Sequence, residues 1–161
     1  MKVPMKKITF LPLLCSLALL VGCSREEKKT ESKNADFVVI NILDTPFYED
    51  VHIKGSINVP LMELADYAQG LNKQAGIVVY CSNYACSASG AAAKQLLDMG
   101  FENVWAYEGG MAEWYQLQYP VDGPATKDYL RAENKKMEEV PSVPTISSQD
   151  LKKRMEEHKL L

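Results

Sequence analysis

The chain has 161 residues and a formal net charge of −3, which leaves room for one folded domain plus any targeting segment and tails. Its 18 Lys and Arg residues are scattered among 21 Asp and Glu residues. A strongly basic nucleic-acid-binding surface is therefore excluded, and no nucleic-acid partner is expected.

The N-terminal residues have the pattern of an export signal. Three lysines (Lys2, Lys6 and Lys7) precede an apolar run over residues 8–21, which is too short to span a membrane comfortably. Residues 20–23, Leu-Val-Gly-Cys, resemble the lipobox of bacterial lipoproteins. The resemblance implies that residues 1–22 are a signal peptide, that Cys23 is lipidated, and that the protein is anchored to a membrane by its acyl chains.

This resemblance also implies a location. The residue after the cysteine is Ser24 rather than Asp, which in Gram-negative lipoproteins points to the outer membrane, facing the periplasm. An ordinary signal peptide or an uncleaved anchor is the alternative. Residues 23–35 are then the lipidated cysteine and a polar tether, since residues 24–34 contain no hydrophobic residue that could be buried.

Strands alternate with helices over residues 36–124, which predicts a parallel α/β sheet. Apolar, β-branched runs predict the strands, and apolar residues at helical spacing predict the helices. The predicted strands are 37–42, 57–59, 77–80 and 103–107, and the predicted helices are 61–69, 87–99 and 111–117.

A cysteine at the end of the third predicted strand is the main candidate for chemistry. Residues 76–93 read as a strand, Cys81, a short polar loop and an Ala-rich helix. The carboxyl edge of a parallel sheet is where ligands usually bind, and a helix N-terminus stabilises an anion. The pKa of Cys81 is therefore predicted to lie below the usual value of about 8.5, although a strand-end cysteine can also simply be packed in a core.

Residues 125–161 form a charged, helical C-terminal extension in this interpretation. Residues 126–139 are charged and helix-prone, with 131–139 read as a solvated helix face. Residues 146–161 predict a helix with Ser147 or Ser148 as its N-cap and Leu151, Met155 and His158 along one side.

Three segments in order resemble the rhodanese-like family over residues 36–123. Residues 52–60 (HIKGSINVP) resemble its GHIPGAxNxP stretch, and residues 79–81 (VYC) with the following loop resemble its catalytic strand and loop. Residues 100–104 (GFENV) and 107–114 (YEGGMAEW) resemble its closing GFxNV…GGxxxW segment. The resemblance implies an α/β rhodanese-like domain, with a central parallel sheet flanked by helices, here followed by the C-terminal helical tail.

The sequence departs from the family pattern in three places. Asn41-Ile42-Leu43 stands where Asp-Val-Arg is usual, and the loop pattern C-x-x-G-x-R-S has Tyr84 for its Gly and Cys86 for its Arg. The helix that usually precedes the first strand is missing, yet residues 146–155 resemble it. The C-terminal helix is therefore predicted to fold back into that position; the alternative is the remnant of a lost second domain.

The resemblance implies a sulfurtransferase in which Cys81 takes a sulfur atom from a small donor such as thiosulfate and passes it to a thiol or to cyanide. The backbone amides of the loop would hold the anionic sulfur; these are the amides of Ser82, Asn83, Tyr84, Ala85, Cys86 and Ser87. Phosphatase chemistry would need Arg at position 87, which is Ser.

Cys86 leaves two further functions open. It could resolve a persulfide by forming a disulfide with Cys81, which would make the chain a thiol-redox protein with a protein thiol partner. Alternatively, Cys86 is only a packed residue and the domain is a non-catalytic binding module. No cofactor is expected, and no metal site, since His52 lies in the family's structural turn and His158 in the tail.

Overall fold

The computed structural model describes residues 35–136 and 142–161. The predicted signal peptide, the predicted lipidation site Cys23 and nearly all of the predicted tether lie outside the described residues, as do residues 137–141. No helix within the described ranges is long and apolar enough to cross a membrane.

Six strands and five helices follow one another along the described chain. They are β1 (Phe37–Asn41), α1 (Thr45–Asp50), β2 (His52–Ile53), β3 (Ile57–Asn58), α2 (Leu64–Ala68), β4 (Gly76–Tyr80), α3 (Ala88–Asp98), β5 (Val104–Tyr107), α4 (Gly110–Gln116), β6 (Val121–Asp122) and α5 (Ser148–Glu157). Single 3₁₀ turns over Leu61–Glu63 and Asp128–Leu130 complete the regular structure.

The central sheet is parallel throughout, in the order β3-β1-β4-β5. Its two middle strands are formed by runs of apolar residues because both faces of the sheet are covered. Helices α2 and α3 pack on one face and helices α4 and α5 on the other. The predicted α/β class, with a parallel sheet between helices, is confirmed.

Two elements were not predicted from the sequence. Residues 44–46 were read only as a break, but Pro46 lies in the first turn of α1, where a proline is tolerated because its missing N–H would have no partner in the helix. Strand β2 pairs antiparallel with β6, with Ile53 opposite Val121. Two-residue strands that are so far apart in sequence leave no periodicity to detect.

The C-terminal helix folds back onto the domain, as predicted. Thr145 forms a parallel bridge with Ala106 of β5, through Ala106 N–H to Pro144 O (2.9 Å) and Ile146 N–H to Ala106 O (3.2 Å). Helix α5 then buries Leu151 and Met155 completely. Its N-cap is Ser147, whose Oγ accepts a hydrogen bond from Asp150 N–H at 3.1 Å.

The helix predicted within residues 126–139 is wrong for its described part. Residues 126–136 contain only the 3₁₀ turn over Asp128–Leu130, and residues 137–139 lie outside the described residues. Tertiary contacts replace helical ones: Asp50 accepts hydrogen bonds from the backbone N–H of Thr126 and of Lys127, and Leu130 is fully buried. An anchored, extended path thus prevails over the weak helix preference of charged residues.

Candidate functional site

The candidate site lies at the carboxyl edge of the parallel sheet. Cys81 follows β4, the loop runs over residues 82–87, and α3 begins at Ala88. The strand, thiol, loop and helix therefore follow each other as predicted. Cys81 is fully buried and Cys86 is partly exposed, and both are free thiols.

The first turn of α4 holds the start of the loop in place. Met111 N–H donates to the carbonyl oxygen of Cys81 at 3.0 Å, and Ala112 N–H donates to that of Ser82 at 2.8 Å. Gly110 lies against the same backbone with a φ of +60°, and a Cβ there would overlap backbone atoms of residues 81–83. The glycine is thus required both by its conformation and by the close approach.

Tyr84 connects the loop to two other parts of the chain. Its N–H donates to Asn134 Oδ1 at 3.0 Å, while Asn134 Nδ2 donates to Gly109 O at 3.0 Å. Its hydroxyl donates to Glu113 at 2.9 Å, and Tyr107 donates to the other oxygen of that carboxylate at 2.8 Å. The loop is therefore positioned by side chains rather than by the arginine that is usual in the family pattern.

Acceptor oxygens surround the sulfur of Cys81. Its Sγ lies 3.2 Å from the carbonyl oxygen of Cys86, 3.9 Å from that of Asn83 and 3.8 Å from Ser89 Oγ. Ser89 is itself buried, and its hydroxyl and N–H favour the thiolate of Cys81. The carbonyl oxygens accept a hydrogen bond from a thiol but repel a thiolate, and the hydrogen bond to Cys86 and burial outweigh Ser89, so the protonated form of Cys81 is favoured.

Donors surround the sulfur of Cys86 instead. The backbone N–H groups of Ala88 and Ser82, the Ser82 hydroxyl and the Cys81 thiol all stabilise its thiolate. Two of the loop amides predicted to hold a substrate are engaged elsewhere, since Cys86 N–H donates to Asn83 O at 3.0 Å and Tyr84 N–H to Asn134. The anion-stabilising part of the loop thus lies around Cys86.

The pKa values of the two thiols are consequently shifted in opposite directions. The hydrogen bond from the Cys81 thiol, together with the surrounding N–H groups, lowers the pKa of Cys86 to about 5. The hydrogen bond to Cys86, followed by burial, raises the pKa of Cys81. The predicted lowering of the Cys81 pKa is therefore wrong: the helix N-terminus acts on its neighbour, and the pair carries a single negative charge at neutral pH.

This charge distribution predicts the pH dependence of alkylation. Iodoacetamide reacts with the thiolate, so modification of Cys86 should rise as the pH passes about 5 and level off above it. The same protein in denaturant is the control, where both cysteines should react only as the pH approaches about 8.5. The measurement is peptide mass mapping over pH 4–10, which spans both transitions (roughly 5 and 8.5). Faster modification of Cys81 than of Cys86 in the folded protein would contradict the assignment.

The substitution of Asn41 for the usual Asp is compensated locally. Asn41 Oδ1 accepts a hydrogen bond from Leu43 N–H at 2.9 Å, and Asn58 Nδ2 donates to Leu43 O at 2.8 Å. The turn that follows β1 is thus held by amide hydrogen bonds in place of an ion pair.

Sequence reasoning missed the contribution of Asn134 to the site. This residue falls in the charged stretch 131–139 that was interpreted as a solvated helix face. No local pattern marks a residue whose partners are more than forty positions away, as the Asn134–Tyr84 contact is. Glu113 does lie in a quoted family segment, but nothing in that segment indicates which tyrosines it binds.

Comparison with known proteins agrees with this architecture. The model of the rhodanese-like domain family matches residues 24–117, which is more than half of the chain. The chain belongs to the rhodanese-like family. The resemblance inferred from the three sequence segments is thereby confirmed.

Curated relatives include bacterial enzymes. The chain is 33% identical over 85 residues to the thiosulfate sulfurtransferase GlpE of Pseudomonas fluorescens, covering 53% of this chain and 75% of that protein. It is 29% identical over 82 residues to GlpE of Coxiella burnetii, covering 51% of this chain and 75% of that one. The relationship is thus to a sulfurtransferase family, at modest identity.

Solved structures show the same fold. The rhodanese-like domain of the Alr3790 protein from Anabaena matches with a TM-score of 0.52 at 25% identity, covering 75% of this chain and 90% of that domain. The BH2092 protein of Bacillus halodurans matches with a TM-score of 0.52 at 25% identity, covering 62% of this chain and 73% of that one.

Proposed function

We propose that this protein is a sulfurtransferase of the cell envelope that moves sulfane sulfur through a persulfide on Cys81. The observation that carries the proposal is the pairing of a buried thiol at the end of the central strand with a neighbouring thiolate. The named activity of the GlpE relatives, thiosulfate sulfurtransferase, supports the reaction class.

The pair can supply a nucleophile without adding charge to a buried loop. Transfer of the Cys81 proton to the Cys86 thiolate leaves the total charge at −1 and makes Cys81 the nucleophile. Cys81 then attacks the outer sulfur of a persulfide donor, which forms an S–S bond between Cys81 Sγ and that sulfur and breaks the S–S bond of the donor. The donor leaves as a thiolate and can take its proton from Cys86.

The acceptor step regenerates the site. A thiolate or cyanide attacks the outer sulfur of the Cys81 persulfide, and Cys81 leaves as a thiolate that regains its proton or shares that of Cys86. With cyanide the product is thiocyanate, so one sulfur atom moves and no electrons are lost overall.

The charges of the loop favour one class of donor. Residues 81–89 contain no Lys or Arg, and Cys86 already carries a negative charge. A dianion such as thiosulfate meets repulsion there, while a monoanionic or neutral persulfide meets less. Low-molecular-weight persulfides are therefore the proposed donors, with thiosulfate a poorer one.

Intact mass spectrometry of the purified protein tests this function. Treatment with a low-molecular-weight persulfide, or with thiosulfate, should add one sulfur, about 32 Da. The adduct should be lost in Cys81→Ala and kept, though formed more slowly, in Cys86→Ala. An adduct that needs Cys86 but not Cys81 would overturn the assignment of the sulfur carrier.

The adjacent sulfurs favour thiol redox chemistry as a second candidate function. The Cys86 thiolate would attack the disulfide of a partner protein, and Cys81 would displace that partner to form the Cys81–Cys86 disulfide. The partner is thereby reduced and this chain oxidised. A loss of two hydrogens that requires both cysteines, with no sulfur adduct from any donor, would support this function over sulfur transfer. If neither mass change is observed, the remaining hypothesis is a non-catalytic binding module.

The envelope location is proposed from residues 1–24 alone. If Cys23 is lipidated, full-length protein expressed in a Gram-negative host should incorporate labelled palmitate and fractionate with outer membranes. Cys23→Ser should abolish the label. Recovery of unlabelled wild-type protein in the soluble fraction would contradict the proposal.

A further inference from the structure

The two thiols of the candidate site differ in how an outside molecule reaches them. The side chain of Cys81 is fully buried, whereas Cys86 remains partly exposed. The loop between them is held closed, because its start is bonded to the first turn of α4 and Tyr84 is bonded to Asn134. A small persulfide or cyanide needs only a narrow opening to reach Cys81, but a cysteine on a folded protein is tied to its own backbone. A protein acceptor therefore meets Cys86 first.

The two cysteines are close enough for a sulfur atom to pass between them. Cys81 Sγ lies 3.2 Å from the carbonyl oxygen of Cys86. Cys81 belongs to the apolar cluster on the α2 and α3 face of the sheet, and Cys86 packs against that cluster. The Cys81 thiol is also within hydrogen-bonding reach of the Cys86 sulfur. An in-line exchange between two thiols spans about two S–S bonds, or roughly 4 Å, so it fits a pair in such contact.

The polarity of the site sets the direction of this exchange. The carbonyl oxygens of Asn83 and Cys86 lie beside Cys81 Sγ and favour a proton on that sulfur. Cys86 lies just before the first turn of α3, where N–H groups such as that of Ala88 stabilise an anion. A persulfide carries its negative charge on the outer sulfur, so that sulfur is more stable on Cys86 than on Cys81.

We infer that Cys86 takes the outer sulfur from the Cys81 persulfide and delivers it to a thiol on a partner protein. The inference rests on the proposed function. The Cys86 thiolate attacks the outer sulfur of Cys81–S–SH, which forms an S–S bond to Cys86 Sγ and breaks the bond to Cys81 Sγ. Cys81 leaves as a thiolate and takes the proton of the new persulfide, so the pair keeps one negative charge.

The second step passes the sulfur to the partner. The partner's thiolate attacks the outer sulfur of the protonated Cys86 persulfide, and the Cys86 thiolate is the leaving group. The partner keeps the sulfur and its proton as a persulfide. One sulfur atom moves in each step, and no electrons are gained or lost overall.

Single-turnover transfer from preloaded protein tests this relay. Wild type, Cys86→Ser and Ala91→Ser are loaded with one sulfur by a low-molecular-weight persulfide, freed of donor, and mixed with cyanide or with thioredoxin that retains one active-site cysteine. In Cys86→Ser, transfer to thioredoxin should slow by about 100-fold and transfer to cyanide by less than about 10-fold. Ala91→Ser, an exposed change on α3, should match wild type with both acceptors.

The position of the sulfur before an acceptor is added is the second readout. Alkylation followed by fragment-ion mass spectrometry should place the added sulfur mainly on Cys86 in wild type and on Cys81 in Cys86→Ser. A sulfur that stays on Cys81 in wild type would overturn the relay.

Three further outcomes would also contradict it. Equal slowing with both acceptors would mean that Cys86 only shares its proton with Cys81. Unchanged transfer to thioredoxin would mean that Cys81 reaches the protein acceptor itself. Release of hydrosulfide with loss of two hydrogens would mean that Cys86 attacks Cys81 Sγ instead. In all of these the loading of Cys81 by the donor remains, whereas failure of wild type to form any adduct would overturn the proposed function as well.

Discussion

Replacement of Gly110 by alanine should slow the proposed sulfur transfer by Cys81 at least 100-fold while leaving the protein folded. The new Cβ would lie 2.8 Å from the carbonyl oxygen of Cys81 and 2.7 Å from backbone atoms of Ser82 and Asn83. Real Cβ atoms do not approach backbone so closely, so the loop must move away. The hydrogen bonds from Met111 and Ala112 to the loop carbonyls would then be lost. Because catalytic geometry tolerates little displacement, we expect a loss of 100-fold or more in transfer rate, of the order caused by a misplacement of about 1 Å.

Gly100→Ala is the matched control for this substitution. Gly100 also has a positive φ, +85°, but a Cβ there would have no neighbour within 4 Å. Both variants incur the cost of a left-handed backbone, about 1–2 kcal/mol, and only Gly110→Ala disturbs the loop. Transfer rates from a persulfide donor and urea unfolding curves would be measured for both. Equal rates in the two variants would show that contact between α4 and the loop does not set the geometry of Cys81.

The elements of the fold that depend on local pattern were predictable. The apolar runs that became β1 and β4 are buried on both faces, and such runs have few alternatives in a chain with interspersed helices. Ser147 and Ser148 were the two candidate N-caps of the C-terminal helix, and the structure has Ser147 in that position. The strand pair β2–β6 and the path of residues 126–136 depend on partners distant in sequence, so no local pattern encodes them.

The sequence predicted the two cysteines of the candidate site but not which of their thiols has the lower pKa. The sequence places two cysteines at a strand end and a helix start, which is where the structure has them. Which sulfur faces N–H groups and which faces carbonyl oxygens depends on how the backbone turns between residues 82 and 87. The carbonyl oxygen of Cys86 turns towards Cys81, and the N–H groups of Ser82 and Ala88 turn towards Cys86. That choice raises the pKa of Cys81, which the sequence had predicted to be lowered.

Shortening Leu151 to alanine should destabilise the whole domain by about 2–5 kcal/mol, the usual cost of such a change in a packed core. Leu151 is fully buried, and it belongs to the same apolar cluster as Tyr80 of β4 and Met111 of α4. The C-terminal helix is also tied to the sheet by Thr145 at the edge of β5 and by the stacking of His158 on Phe37, with ring centroids 4.8 Å apart. Helix α5 should therefore unfold together with the sheet in one transition.

Lys153→Ala is the control, because Lys153 lies on the exposed face of the same helix, where it forms an ion pair with Glu157 at 3.9 Å. Its effect on the free energy of unfolding should stay within about 0.5 kcal/mol. Urea titrations followed by tryptophan fluorescence would compare the two variants, since Trp105 and Trp114 pack in or against the cluster that α5 covers. A Leu151→Ala midpoint equal to that of Lys153→Ala would mean that α5 is only loosely docked. A large shift means instead that residues 142–161 complete the core beneath the strand that carries Cys81, so that loosening this helix also loosens the site.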